Sequence, residues 1–149
     1  MTAEYKRHGI QFLYPQNWKV VDEQLDQIPR SVTVQADSGA FWSVDIHPFS
    51  VEPEEILSQS LEVMQAEYDE VEVVREHEVI CGEEALGLNL MFWCLDFVVN
   101  CQLRVVKHGH ATFALTYQAE DRDFAELQAV FAAITTSLLT DRLVEADAS

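Results

Sequence analysis

Positive charge is scarce in this chain. Nine Lys and Arg stand against 26 Asp and Glu over 149 residues, for a formal net charge of -17, and the nine cations are scattered from Lys6 to Arg142. Binding to a phosphate backbone calls for a clustered basic surface, so nucleic acid is a poor partner. The same repulsion argues against anionic membrane surfaces. A one-signed acidic surface suits a protein partner with a basic face, or a cation.

Glycine and cysteine are thin as well. Gly9, Gly39, Gly82, Gly87 and Gly109 stand singly, so no phosphate-cradling loop forms in which several backbone amides converge. Cys81, Cys94 and Cys101 are an odd set without a Cys-x-x-Cys pair, which reads as reduced thiols, with Cys94 and Cys101 pointing into a core. There is no Gly-x-Ser-x-Gly elbow, and Cys81 has Glu83 and Glu84 for neighbours rather than an activating base. The expectation is a non-enzymatic chain with no cofactor. Long apolar runs are missing too: the stretch Leu95 to Val99 is broken by Asp96 and followed by Asn100, far short of the ~18–20 residues that cross a bilayer. Met1 to Arg7 has no apolar export segment, which leads to an expectation of a soluble, cytoplasmic protein.

What is present is enough apolar material, 48% of residues, for a packed core. One domain over residues 1–149 is expected, with a frayed tail from Glu145 to Ser149. Ile10, Phe12 and Tyr14 alternate with Gln11 and Leu13 before the Tyr14-Pro15-Gln16-Asn17 break, so a short strand, a turn and a second strand at Trp18 to Val21 follow. Ser31 to Ala36 and Phe41 to His47 flank Asp37-Ser38-Gly39 as a hairpin. Pro53 fits the first turn of a helix, Glu54 and Glu55 suit its positive end, and Leu57, Leu61, Met64 and Tyr68 form its buried stripe. Glu70 to Ile80 reads as a strand with Val71, Val73 and the neighbouring Val74 inward. A second helix begins near Asp123, with Phe124, Leu127, Phe131, Ile134 and Leu138 on one face.

Ala85 to Ala119 carries three strand-like runs separated by turns near Asp96-Phe97 and at His108-Gly109-His110, an antiparallel meander. Pairing Leu95 with Val98 sets Phe92 against Cys101, Leu90 against Leu103 and Leu88 against Val105. A three-residue second turn then pairs Val105 with Phe113, Leu103 with Leu115 and Cys101 with Tyr117, so one face of all three strands is apolar. The fold class is α+β: a central antiparallel sheet of about six or seven strands ending in this meander and flanked by two main helices, an α/β/α sandwich.

The run Gly9-Ile10-Gln11-Phe12-Leu13-Tyr14-Pro15-Gln16-Asn17-Trp18 resembles the opening of the PsbP-like superfamily, where an amphipathic strand enters a Pro-x-x-Trp turn. The order of elements agrees: a helix, the meander, then Phe113-Ala114-Leu115-Thr116-Tyr117 leading into a last helix that closes with Ile134, Ser137 and Leu138. The superfamily spans the photosystem II P subunit, Ran-binding Mog proteins, DcrB-type proteins and type VI secretion adaptors. The resemblance implies a flanked antiparallel sheet and a role in binding proteins, sometimes metals, without catalysis.

Candidate site residues are few. Met91, Trp93 and Val98 fall on the second face of the meander, and Trp42 joins them from a neighbouring strand, an aromatic and methionine surface of the kind enriched at interfaces. A helix laid over that face makes the same residues core, and a homodimer buries them against a second copy. His108 and His110 place two imidazoles at a hairpin tip, without the third ligand that a metal site requires. The acidic series from Glu62 to Glu84 is a solvated face or a steering surface for a basic partner; it lacks the dense oxygen loop of a calcium site. The preferred function is a protein-binding or adaptor domain, with a small-ligand or cation-binding accessory protein as the alternative.

Overall fold

The computed structural model describes residues 1–22 and 29–148, with side chains through Thr140. The side chains of Arg142 and of the expected tail, 145–149, lie outside that description. The elements run β1 (Thr2–Arg7), β2 (Ile10–Pro15), β3 (Lys19–Asp22), β4 (Arg30–Gln35), β5 (Phe41–Pro48), α1 (Pro53–Glu67), β6 (Val71–Ile80), β7 (Glu83–Cys94), β8 (Phe97–His108), β9 (Ala111–Glu120) and α2 (Asp121–Ala148). Seven of the strands form an antiparallel sheet in the order β3-β4-β5-β9-β8-β7-β6, while β1 and β2 pair as a separate hairpin. The fold is α+β.

The meander is where the expected register and the structure differ. Leu95 and Asp96 make a two-residue turn, so Cys94 pairs with Phe97, Phe92 with Val99, Leu90 with Cys101 and Leu88 with Leu103. This is a shift of two residues from the expected pairing, and a shift of two keeps every side chain on its face. The next turn is also two residues, because Gly109 takes a left-handed backbone with φ 62°, the geometry that suits a tight hairpin. Val106 therefore pairs with Phe113, Arg104 with Leu115 and Gln102 with Tyr117. That is a shift of one, and it inverts β9: Phe113, Leu115 and Tyr117 face the side opposite Leu90 and Leu103, not the same side.

The sheet therefore has apolar material on both faces of its middle strands, and each helix takes one. On the first face Ile56 and Leu57 of α1 pack on Leu88, Leu90, Phe92, Leu103, Val105 and Ala114, and Tyr68 stacks on Phe92 with ring centroids 4.1 Å apart. Pro53 opens α1 and Glu54 and Glu55 occupy its first turn. On the second face Phe124, Phe131, Ile134 and Leu138 of α2 pack with Trp42, Val44, Phe113, Leu115 and Tyr117. The β1–β2 hairpin fills the rest of that core with Tyr5, Ile10 and Phe12, the last 4.8 Å from Trp42 between ring centroids. Ser137 ties the layer together by accepting the Leu13 N–H at 2.8 Å. Val74 is exposed, because strict alternation turns it away when Val71 and Val73 point toward α1. Cys94 is exposed on the last rung of its hairpin, whereas Cys101 is buried, and burial pushes the Cys101 thiol up to about 12.

Two polar contacts hold the second face. Trp42 Nε1 donates to Thr135 Oγ1 at 3.0 Å, and the Tyr117 hydroxyl meets the same oxygen at 2.8 Å, so one buried threonine on α2 satisfies groups from β5 and β9. Burial would strand both groups without it. Thr135→Val, nearly isosteric, is expected to cost about 3 kcal/mol, measured as a shift of the urea midpoint with unchanged slope. At the other edge Asp22 accepts from the Tyr5 hydroxyl at 2.6 Å and from His8 at 3.2 Å. Burial alone would raise the Asp22 carboxyl, but these hydrogen bonds and the nearby Arg7 outweigh it and hold its pKa below 3.8. A depressed folded pKa means stability that is present above the unfolded value and lost as pH falls through the folded one. Acid unfolding should accordingly begin below about pH 4, and Asp22→Asn should flatten that limb of a stability-against-pH curve while lowering stability at neutral pH.

Candidate protein-binding site

The β7–β8 hairpin outruns its neighbours. On one side the ladder to β6 ends at Val71 opposite Phe92; on the other the ladder to β9 ends at Glu120 opposite Val99. The two outermost rungs, Trp93 opposite Val98 and Cys94 opposite Phe97, thus have no third strand beside them among the described residues. They project as a two-stranded finger capped by Leu95 and Asp96.

An isolated projection of this kind ordinarily carries polar residues, but here it is apolar. Trp93 is 61% exposed, Leu95 90% and Phe97 47%, with Met91 at 38% two rungs further in than Trp93. Alternation along the strands puts Met91, Trp93 and Val98 on the α2 face and Phe97 on the α1 face, so the finger offers greasy surface on both sides. Leu95 holds φ 57°, a left-handed conformation that costs a branched L-residue about 1–2 kcal/mol. Asn or Gly would sit there without strain. A strained, exposed leucine at a hairpin tip fits a contact residue better than a turn residue.

The helix that covers this face begins beside the finger rather than over it. Asn100 Nδ2 donates to Asp121 Oδ1 at 2.6 Å, pinning the start of α2 next to β8, and the helix then runs back over β9 and the β2 hairpin. Acidic residues surround the base: Asp69 and Glu70 precede β6, Glu72 lies opposite Met91, Glu120 lies opposite Val99, and Asp96 caps the tip. Arg122, the cation at the start of α2, sits 3.6 Å from Glu120.

Along the flank of α2 the surface turns polar. A pocket of about 400 Å³ lies between α2 and β6, floored by Asn89, Gln102 and Arg104 and walled by Glu76, Glu78 and Gln128. Arg104 is buried, donating to Glu78 Oε1 at 2.6 Å and to the Leu103 carbonyl at 2.9 Å. Its side chain lies across Gly87, the residue opposite it in β7; a Cβ at position 87 would stand 2.6 Å from the Arg104 guanidinium. That close approach is the reason for a glycine inside a strand.

Of the four residues expected to form a binding surface, Trp93 and Val98 face each other on the finger and Met91 lies on the same sheet face at its base. Trp42 does not join them: it is fully buried beneath α2 on β5, with β9 and β8 between it and β7, and belongs to the core. The expected helical cover stops short of Trp93. His108 is buried against Glu83 at 2.9 Å while His110 is exposed on the turn, and no metal-ligating cluster occurs among the described residues. Leu95 and Phe97, which a three-strand apolar face would hide, are the residues that sequence reasoning overlooked. Trp18 and Trp42 are buried and Trp93 is open, so acrylamide should quench only the Trp93 emission. Trp93→Phe is expected to remove the quencher-accessible component and leave the protected component in place; an accessible component that persists would contradict this placement.

No family model and no curated protein matches the sequence. Solved structures do share its shape. Cyanobacterial PsbP (CyanoP) from Synechocystis sp. PCC 6803 superposes with a TM-score of 0.68 at 14% identity, covering 91% of this chain and 90% of that one. A protein from Bacteroides thetaiotaomicron gives a TM-score of 0.56 at 14% identity over 87% of this chain and 44% of the other. The protein of unknown function PA94 from Pseudomonas aeruginosa gives 0.54 at 12% identity over 92% and 95%. Identities this low speak for architecture and not for task, and no helix among the described residues is long and apolar enough to cross a membrane. With a seven-stranded antiparallel sheet between two helices and near end-to-end overlap with cyanobacterial PsbP, the chain has the PsbP-like fold.

Proposed function

We propose that the chain is a non-enzymatic adaptor that inserts the β7–β8 finger into an apolar recess on a protein partner whose rim is basic. The observation that carries this reading is the two-rung overhang, on which Trp93, Leu95 and Phe97 are exposed beyond the ends of the β6 and β9 ladders. Apolar anchors of this size supply most of the energy at interfaces, and a surrounding acidic rim speeds encounter and selects positively charged partners. The strain at Leu95 would be offset in the bound state by burial. Free thiols at Cys81, Cys94 and Cys101 accord with a reducing compartment, and we infer a cytoplasmic site of action.

Site-specific photocrosslinking tests this. A photoreactive phenylalanine analogue at position 97 is expected to yield one dominant partner adduct, and the same analogue at exposed Val63 on α1 is expected to yield none. Trp93→Ser should weaken the interaction by roughly 30-fold without changing the melting temperature. Salt should weaken it further, since the rim is solvent-facing. Equal adducts from positions 63 and 97, or an adduct indifferent to Trp93→Ser, would contradict the proposal. An adduct between two copies of the chain would instead assign the finger to a homodimer.

A further inference from the structure

The seven-stranded sheet ends on one side in β6, whose ten residues pair with β7 in an unbroken ladder from Val71 opposite Phe92 to Ile80 opposite Glu83. In an antiparallel pair every second residue turns its N–H and C=O away from its neighbour, so β6 carries a row of donors and acceptors along its outer margin. No strand lies beyond that row among the described residues. A long edge is ordinarily blunted by proline, by lysine, by a bulge or by a covering element. β6 has neither proline nor lysine, its ladder contains no bulge, and Glu72 and the run Val74 to Val79 are exposed. The opposite margin, β3, is only four residues long.

The side chains of β6 select what can lie beside it. Glu72, Glu76 and Glu78 alternate onto the α2 face with Val74, which is 56% exposed, among them; Val79, 64% exposed, falls on the α1 face. Arg75 is the one Lys or Arg of the strand, and its guanidinium is bound to both carboxylate oxygens of Glu54 on α1, so its charge is already matched. A second copy is a poor neighbour for this edge. Antiparallel self-pairing about a twofold axis keeps the faces of both copies aligned, which sets the three acids of one strand among the same three of the other. The acids therefore oppose self-association while leaving the backbone row open to a strand of opposite charge.

We infer that β6 is a peptide-docking edge, which takes an extended segment of another protein as an added antiparallel strand. The segment carries Lys or Arg at alternate positions, opposite Glu72, Glu76 and Glu78, and apolar side chains opposite Val74 and Val79. Main-chain hydrogen bonds supply the affinity in this mode of recognition, and alternate side chains supply the selectivity. The row on β6 is held in place by its ladder to β7, so only the incoming segment has to be ordered. Opposite charges facing each other across a strand pair add to the pairing, and so do apolar pairs. The edge and the finger are separate surfaces, and neither reading requires the other.

Amide hydrogen exchange on the full chain, followed by NMR, tests this with the acetylated and amidated peptide Val-Lys-Thr-Lys-Thr-Val-Val-Lys, whose lysines face Glu78, Glu76 and Glu72 in antiparallel register. Saturable binding with a Kd of about 100 μM is expected. With about 1 mM peptide, every second amide of β6 should exchange roughly tenfold more slowly than in the free chain. N-methylation at alternate residues of the peptide should abolish binding in one phase and spare it in the other, since only one phase turns its N–H groups toward β6. Glu72→Lys, at an exposed position, should weaken binding roughly fivefold. Trp93→Ser should leave it unchanged, which separates this edge from the finger. No saturable binding below about 1 mM, protection that falls on the finger instead of β6, or equal binding by both N-methylated peptides would each overturn the assignment. So would alternate protection of β6 that appears on concentrating the chain without peptide, which would make the edge an interface between copies.

Discussion

The side of the sheet on which every residue of β9 lies depends on two residues, Gly109 and His110. Because Gly109 occupies the left-handed region, the chain turns in two residues, and Phe113, Leu115 and Tyr117 face α2 while Ala114 packs toward α1. One more residue in that turn would exchange the two sets, placing three large side chains under α1 and leaving α2 over Thr112, Ala114 and Thr116. The bond network at Thr135 would then lose Tyr117, and Trp42 would face a surface too small to enclose it. Central β9, paired with β5 on one side and β8 on the other, transmits that choice to the rest of the sheet.

From the same constraint follows what remains uncovered. With β9 ending opposite Val99, α2 must start there, and its first turn is fixed by Asn100. The helix then runs back over the sheet, away from the hairpin end. Core contacts are therefore dense near Trp42, Leu115 and Phe131, and among the described residues neither buried cluster reaches past Phe92 and Val99. Local opening of the finger would break only the two outer rungs, so the strained Leu95 can persist at small cost to global stability. Stability and exposure are separated along the length of β7 and β8, and it is this separation that leaves large apolar side chains available to a partner.

Much of the architecture was legible from residue pattern. The spacing of Phe124, Phe131, Ile134 and Leu138 identified the buried stripe of α2, Pro53 with Glu54 and Glu55 marked the start of α1, and the alternation in Ile10 and Phe12 marked an inward strand face. Register was less legible, since periodicity of two cannot separate a shift of two from none, and a turn of two residues differs from one of three only through the backbone of a single glycine. Both faces of β9 are well supplied, with Phe113, Leu115 and Tyr117 on one and Thr112, Ala114 and Thr116 on the other, so hydrophobicity alone did not select between them. For the same reason the surface containing Met91, Trp93 and Val98 could be drawn from sequence, but the exposure of Leu95 and Phe97 could not: it depends on where β6 and β9 stop. Nothing local to Trp42 distinguishes it from Trp93; the difference is that α2 reaches one and not the other.

The finger stands at one end of β8, whose twelve residues run from Phe97 to His108. Inward of its two outer rungs β8 is bonded on both edges and carries Cys101, Leu103 and Val105 into the α1-side core. A partner that pried the outer rungs apart would meet a third strand and a packed layer from Val99 inward, so opening there costs far more than opening at Trp93 and Phe97. Contact at the tip would therefore stay local, and the finger would act as a prong on a fixed sheet rather than as a lever that repacks α1 and α2.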